Sequence, residues 1–315
     1  MKRHGRRVRY RRGVRKKNGI LICLPIALCT VVTVVILFVI VGNALGKKVT
    51  QGEESHKAAS SNETEAAPHV TPRSVKAYPV ALSQNGSNLE DRLRHASEQG
   101  FDSACFELES KDGSLLYYSD VAIFAGYLQS DAKLKKLPSA MDLFEESGLY
   151  SIGITYLSKM NADDDLQRSM AVGYYAAMCA EAVRAGVDDV LLCPSGIPTD
   201  RYTELVGIAE EIHRLCDGAT VGIAISASAA SGDNSEALID LLWSKFDYVS
   251  VDLTSSPDEG EDIPTKIDRE LGGMLYYLLR YNIRALVPSV QDAALAQKIT
   301  EAVKSNGSEN IQFMP

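Results

Sequence analysis

From Val75 onward the chain alternates between two hydrophobic patterns. Short apolar, β-rich runs predict strands over 75–82, 101–109, 150–157, 189–194, 220–227, 247–253, 283–290 and 310–314. Between them, apolar positions at helical spacing predict helices near 88–99, 138–147, 165–185, 200–216, 234–245, 265–282 and 291–305. The helix at 165–185 is the clearest. Leu166, Met170, Val172, Tyr174, Ala177, Met178 and Ala182 recur near the 3.6-residue period, and Gly186 closes it. Strict alternation of strand and helix implies parallel strands joined by right-handed crossovers. About eight strands in roughly 240 residues predict an α/β fold, a (β/α)8 TIM barrel. The alternative is a doubly wound open sheet, which calls for a Gly-rich phosphate loop after the first strand. The stretch Ser83-Gln84-Asn85-Gly86-Ser87 carries a single Gly there.

The first 74 residues follow a different pattern. Residues 1–18 hold ten Lys and Arg and no acid, and Ile20 to Val41 is almost wholly apolar. A span of roughly 20 apolar residues crosses a bilayer. Residues 19–46 are therefore expected to form one transmembrane anchor, with the basic tail in the cytoplasm by the positive-inside rule. A cleavable signal peptide is the rival, but its apolar core runs to only about 7–15 residues. Residues 47–74 are polar, with Pro68 and Pro72 and no apolar period, and read as a disordered stalk. Residues 75–315 would then lie outside the plasma membrane.

Charge sharpens this division. The net charge of -8 masks a basic N-terminus: setting aside twelve of the 33 basic residues, those before Val49, leaves 21 against 41 acids, a balance of about -20. A surface so acidic argues against nucleic acid as a partner. The six cysteines have no metal-ligand or C-x-x-C spacing and read as buried thiols. No cofactor loop and no metal site is expected.

Candidate chemistry sits at the strand ends, because active sites of such barrels lie at the C-terminal mouth. In 101–109, Phe106 and Leu108 share one face, while Cys105, Glu107 and Glu109 share the other. In 247–253, Val249, Val251 and Leu253 face the helices, so Ser250, Asp252 and Thr254 point inward. Glycoside hydrolysis uses two carboxyl groups, about 5–5.5 Å apart in retaining and about 6.5–9.5 Å apart in inverting enzymes. Glu107, Glu109 and Asp252 are the candidate acids. Glu107 flanked by Glu109 would have its pKa raised by like charge and act as acid, with Asp252 as nucleophile or base. Lys159, Cys193, Ser195, Ser228, Thr254, Gln291 and Asp292 are expected to contact ligand from neighbouring strand ends. No His stands at a strand end to activate Cys193 or Ser195. His213 is expected on a polar helix surface.

Four stretches resemble a glycoside-hydrolase-like family of uncharacterised bacterial (β/α)8-barrel proteins. They are Glu107 with Lys111-Asp112-Gly113-Ser114 and Tyr117, Ser147-Gly148-Leu149-Tyr150, Asp247-Tyr248-Val249-Ser250, and Val287-Pro288-Ser289-Val290-Gln291-Asp292. The resemblance covers about 75–315. It implies the barrel and a carbohydrate ligand. The departures are instructive. The family's fourth strand ends Asp-Tyr-Ile-Arg-Phe-Pro, whereas here Cys193-Pro194-Ser195-Gly196-Ile197-Pro198 lacks both acid and Arg. Ser228 follows Ser226-Ala227 where the family has Asp, Ser289 replaces a Trp, and Glu109 replaces a Lys. The implied reading is a degenerate member: a membrane-anchored barrel that binds cell-wall polysaccharide such as peptidoglycan, or a partner protein, without efficient hydrolysis. The alternative is an active glycosidase using Glu107 or Glu109 with Asp252.

Overall fold

A computed structural model describes residues 75–82, 86–125, 136–232 and 235–315. The basic tail, anchor and stalk expected at 1–74 lie outside the described residues. Among those described, no helix is long and apolar enough to cross a membrane.

Eight parallel strands close into a ring in chain order. They are β1 (Lys76–Pro79), β2 (Ser103–Glu107), β3 (Tyr150–Thr155), β4 (Asp189–Leu192), β5 (Thr220–Ser226), β6 (Tyr248–Asp252), β7 (Arg284–Pro288) and β8 (Ile311–Met314). β1 pairs with β8 through Lys76↔Ile311 and Ala77↔Gln312, which excludes the open sheet. Helices α1 (Gly86–Glu98), α2 (Asp120–Phe124), α3 (Pro138–Ser147), α4 (Asp165–Arg184), α5 (Tyr202–Leu215), α6 (Ala227–Ser231), α7 (Ser235–Trp243), α8 (Ile263–Gly272), α9 (Leu275–Tyr281) and α10 (Ala293–Ser305) join them.

Local chemistry explains where the elements begin and stop. Asp164 caps α4 by accepting from Gln167 N at 2.9 Å. Gly186, at φ +105°, ends it with Val187 N bonded to Ala182 O. The helix expected over 265–282 is two helices, broken at Gly272-Gly273, where Gly273 N bonds back to Arg269 and Leu271. The pattern also did not reveal α2 and α6. Each is a short turn nucleated by a serine cap, Ser119 and Ser226 respectively.

The period of two sorts the strand residues as expected. Phe106, Leu108, Val249, Val251 and Leu253 join the core between ring and helices. Cys105, Ile152, Ile154, Leu191, Ala224 and Leu286 pack inside the ring. At its N-terminal end lies a polar layer. The Asp189 carboxylate, fully buried, accepts from Tyr248 Oη at 2.7 Å and from both terminal nitrogens of Arg284 at 3.2 Å. The Arg284 guanidinium also donates to Gln312 Oε1 at 3.2 Å and stacks 3.8 Å over the Tyr248 ring. Burial pushes the Asp189 carboxyl up to about 6, while Arg284 and Tyr248 pull it down. Gly222 makes room for this layer, since a Cβ there would lie 2.0 Å from the Tyr248 ring.

His213 of α5 is not a plain surface residue. Its Nε2 lies 3.0 Å from Asp247 Oδ2, which also accepts from Val221 N at 2.7 Å. The hydrogen bond to Asp247 raises the His213 pKa above its ordinary value. A raised folded-state value means that this pair's stability is fully present below about pH 6.5 and is lost as pH rises through the folded value. Asp247→Asn is expected to lower the His213 midpoint in an NMR titration of its ring proton. An unchanged midpoint would show that the pair does not hold in solution.

Candidate functional site

The C-terminal ends of the strands open into a cavity of about 610 Å³. Tyr156 lines it, continuing the inward phase of Ile152 and Ile154 in β3. Tyr156 is 4% exposed, and its buried hydroxyl lies beside the Glu107 carboxylate. One side of the cavity is the loop after β4, from Cys193 to Thr199. Asn161 Nδ2 holds this loop through Ser195 O at 3.1 Å, and Gly196 turns it at φ +75°. Ser226, Asp252, Thr254 and Ser289 contribute polar groups from β5, β6 and β7.

Asp252 is exposed on the cavity wall at the end of β6. Its Oδ1 accepts from Thr254 N at 2.8 Å and Thr254 Oγ1 at 2.6 Å. Lys266, 2% exposed, anchors the same loop by donating to Leu253 O at 3.0 Å and Ser255 O at 2.8 Å. Glu107 ends β2, half-buried, beside Tyr156 and Cys193. Burial first, then nearby charges including Glu107, lifts the Tyr156 hydroxyl well above the usual tyrosine range. Burial and then the Asp252 charge push the Cys193 thiol far up, so it is no thiolate at neutral pH.

Glu109 is not where alternation predicts. The β2 ladder stops at Glu107, Leu108 turns into the helix-side core, and Glu109 follows it behind β3. The side chain is fully buried and off the cavity wall. Glu109 Oε1 accepts from Lys159 Nζ at 2.7 Å, from Ser158 Oγ at 2.9 Å and from Tyr175 Oη at 3.0 Å, and its Oε2 accepts from Thr155 Oγ1 at 3.2 Å. Four donors offset the cost of burying the carboxylate. Glu109 therefore does not flank Glu107 as a like charge in the mouth.

Lys159 is correspondingly withdrawn. Its ammonium serves Glu109 and the Gly113 carbonyl, at 3.3 Å, and faces the rings of Tyr174 and Tyr175. Of the other candidates, Cys193, Ser195 and Thr254 line the cavity and three do not. Ser228 lies on α6, its hydroxyl 3.0 Å from Ser226 Oγ. Asp292 caps α10, accepting from Ala294 N at 2.9 Å and Leu295 N at 3.4 Å. Gln291 is exposed beside it.

Sequence reasoning missed Lys111 and Tyr156 as wall residues. The signal for Tyr156 was its phase in β3. Lys111 was legible only as part of a turn. That turn is tight: Ser110 N bonds Ser114 O at 2.9 Å, and Gly113 sits at φ +85°, where a Cβ would meet Ser158 Oγ at 2.5 Å. Lys111 is thereby held over the cavity, its ammonium 5.3 Å from the Tyr156 ring centre. Among the described residues, no three His, Cys, Asp or Glu side chains gather as a metal site would need.

No family model matches the sequence, and no curated protein matches it. Solved structures do. The glycoside hydrolase domain of PgaB (BpsB) from Bordetella bronchiseptica aligns at TM-score 0.57 and 10% identity, over 77% of this chain and 94% of that one. The catalytic domain of β-amylase from Paenibacillus polymyxa aligns at TM-score 0.48 and 11% identity, over 76% and 91%. The Bacillus cereus spore cortex-lytic enzyme SleL aligns at TM-score 0.48 and 9% identity, over 77% and 71%. At such identities the likeness is one of fold: this chain carries a closed (β/α)8 TIM barrel, and glycoside hydrolase barrels are among its structural neighbours.

Proposed function

We propose that this protein is a membrane-anchored, extracytoplasmic barrel that binds a cell-wall glycan at its mouth without efficient hydrolysis. One observation carries the reading. Among the described residues that line the cavity, Asp252 is the one acidic side chain: Glu109 is sealed off by four donors, and Glu107, half-buried at the end of β2, stands behind Tyr156 and Cys193 and off the lining. Glycosidic cleavage calls for two carboxyl groups facing the scissile bond. The remaining wall suits a sugar: Tyr156, Tyr202 and Pro194 give it apolar lining, while Ser226, Thr254 and Ser289 offer hydroxyls. The similarity in fold to the glycoside hydrolase domain from Bordetella bronchiseptica agrees with a carbohydrate ligand. The apolar run at Ile20 to Val41 supports the anchor.

A second reading keeps the enzyme. Glu107 and Asp252 end β2 and β6, four strands apart in a ring of eight, and so face each other across the mouth. One experiment separates the two. The full chain in detergent is titrated with a panel of cell-wall oligosaccharides while released reducing ends are followed. Binding without product, persisting in Glu107→Gln and Asp252→Asn, is the expected result. Product formation abolished by either substitution would establish the glycosidase instead.

A further inference from the structure

We propose that the outward face of α4 is a homotypic docking surface, on which a second copy of this chain packs its own α4 antiparallel about a two-fold axis. A helix around a (β/α)8 barrel needs one apolar face, the one turned to the strands. α4 has two. Ala171, Tyr175, Met178 and Ala182 make the inward face and are buried. Leu166, Met170, Gly173 and Ala177, spaced four, three and four residues apart, make a second stripe on the other side of the helix. Leu166 at 70% and Met170 at 63% are the two most exposed large apolar side chains among the described residues. A groove of about 530 Å³ is lined by Met170, Gly173 and Ala177 from α4 and by Val121 and Ala125 from α2 and its cap.

Gly173 is the informative residue. In mid-helix a glycine is less stable than an alanine. Nothing inside this molecule calls for one here: the backbone is ordinary helix, and a Cβ would meet nothing within 4 Å. A glycine over open space suits the close approach of something from outside. The order of sizes along the stripe identifies it. The two large side chains come first and the two small ones second, symmetric about a point between Met170 and Gly173. A two-fold axis there sets Met170 against the partner's Gly173 and Leu166 against the partner's Ala177, so that every knob meets a hole. The rim argues against a lipid surface. Asp120 lines the groove, and Asp163 and Asp165 stand exposed at the start of α4, charges that an anionic bilayer repels. Area sets the strength. A stable complex in free solution covers roughly 800 Å² of each partner, and one helical stripe with its groove covers less. The pairing is therefore weak, and is favoured where copies are held close together, as in a shared membrane.

Sedimentation of the full chain in density-matched detergent, from about 1 to about 300 µM, reads the pairing. Wild type is expected to pass from monomer to dimer within that range. Gly173→Leu fills the hole and should weaken pairing by about tenfold or more, without lowering the urea midpoint, since its side chain enters open space. Met170→Gly removes the knob and should weaken pairing similarly. Combining Met170→Gly with Gly173→Met exchanges knob and hole, and should restore pairing to within about threefold of wild type, because the axis pairs those two positions. Higher salt, which screens Asp163 and Asp165, should tighten it. A wild type that stays monomeric at about 300 µM overturns the proposal. So does pairing that Gly173→Leu leaves intact, which would place the contact in the anchor or on another face. A double variant as weak as the single ones overturns the two-fold geometry and the proposal with it. If wild type is monomeric and Gly173→Leu lowers the urea midpoint, the groove is filled from within the chain, by residues 126–135 that follow Ala125, and the proposal fails. None of these results bears on glycan binding at the mouth.

Discussion

Asp189→Asn is expected to destabilise the barrel by about 3–5 kcal/mol, read as a fall in the urea midpoint with little change in slope. Arg284 is 3% exposed and cannot reach solvent without opening the N-terminal end of the ring. The Asp189 carboxylate neutralises it through two contacts at 3.2 Å and also accepts a hydrogen bond from Tyr248 Oη at 2.7 Å. Removing that charge strands a guanidinium whose remaining partners are Gln312 and the face of Tyr248. The penalty belongs to the unpaired charge more than to the lost pair. Adding Arg284→Met to Asp189→Asn should therefore recover much of the loss. A single substitution costing under about 1 kcal/mol would mean that Gln312 alone satisfies the guanidinium.

Glu109→Ala is expected to cost about 2–4 kcal/mol and to weaken glycan binding as well. It would leave Lys159, Ser158, Tyr175 and Thr155 without their common acceptor. Lys159 retains a partial route to water, its side chain being 19% exposed, so the loss is smaller than at Asp189. The same change frees the Gly113 turn and with it Lys111. Asp252→Asn, on the exposed wall, should change stability by well under about 1 kcal/mol. Urea unfolding of the two variants makes the comparison directly. If Glu109→Ala left stability intact but removed a hydrolytic activity, Glu109 would be a catalytic acid after all.

Most of the scaffold was legible because its signals are local. The period of two in Cys105 to Leu108 and in Val249 to Leu253 fixes which side chains face the ring, and caps such as Asp164 fix helix starts. Alternation misplaces Glu109 because it holds only while a ladder is paired, and pairing of β2 ends at Glu107. Its four partners lie 46 to 66 residues away, so no neighbouring residue announces them. Asp189 and Arg284 stand 95 residues apart and meet only because the ring closes. Asp292 has a local explanation: an acid directly before a helical run is a cap before it is a ligand. Gly272-Gly273 likewise carried a visible warning that one predicted helix would be two.

The most direct test of a mouth that binds sugar without cleaving it is a single proton NMR series on the full chain with a cell-wall oligosaccharide. Saturation should pass from protein to sugar ring protons while the anomeric signals stay unchanged over a day. New reducing-end anomeric signals, absent when Asp252→Asn is used instead, would contradict it and make the barrel a working hydrolase.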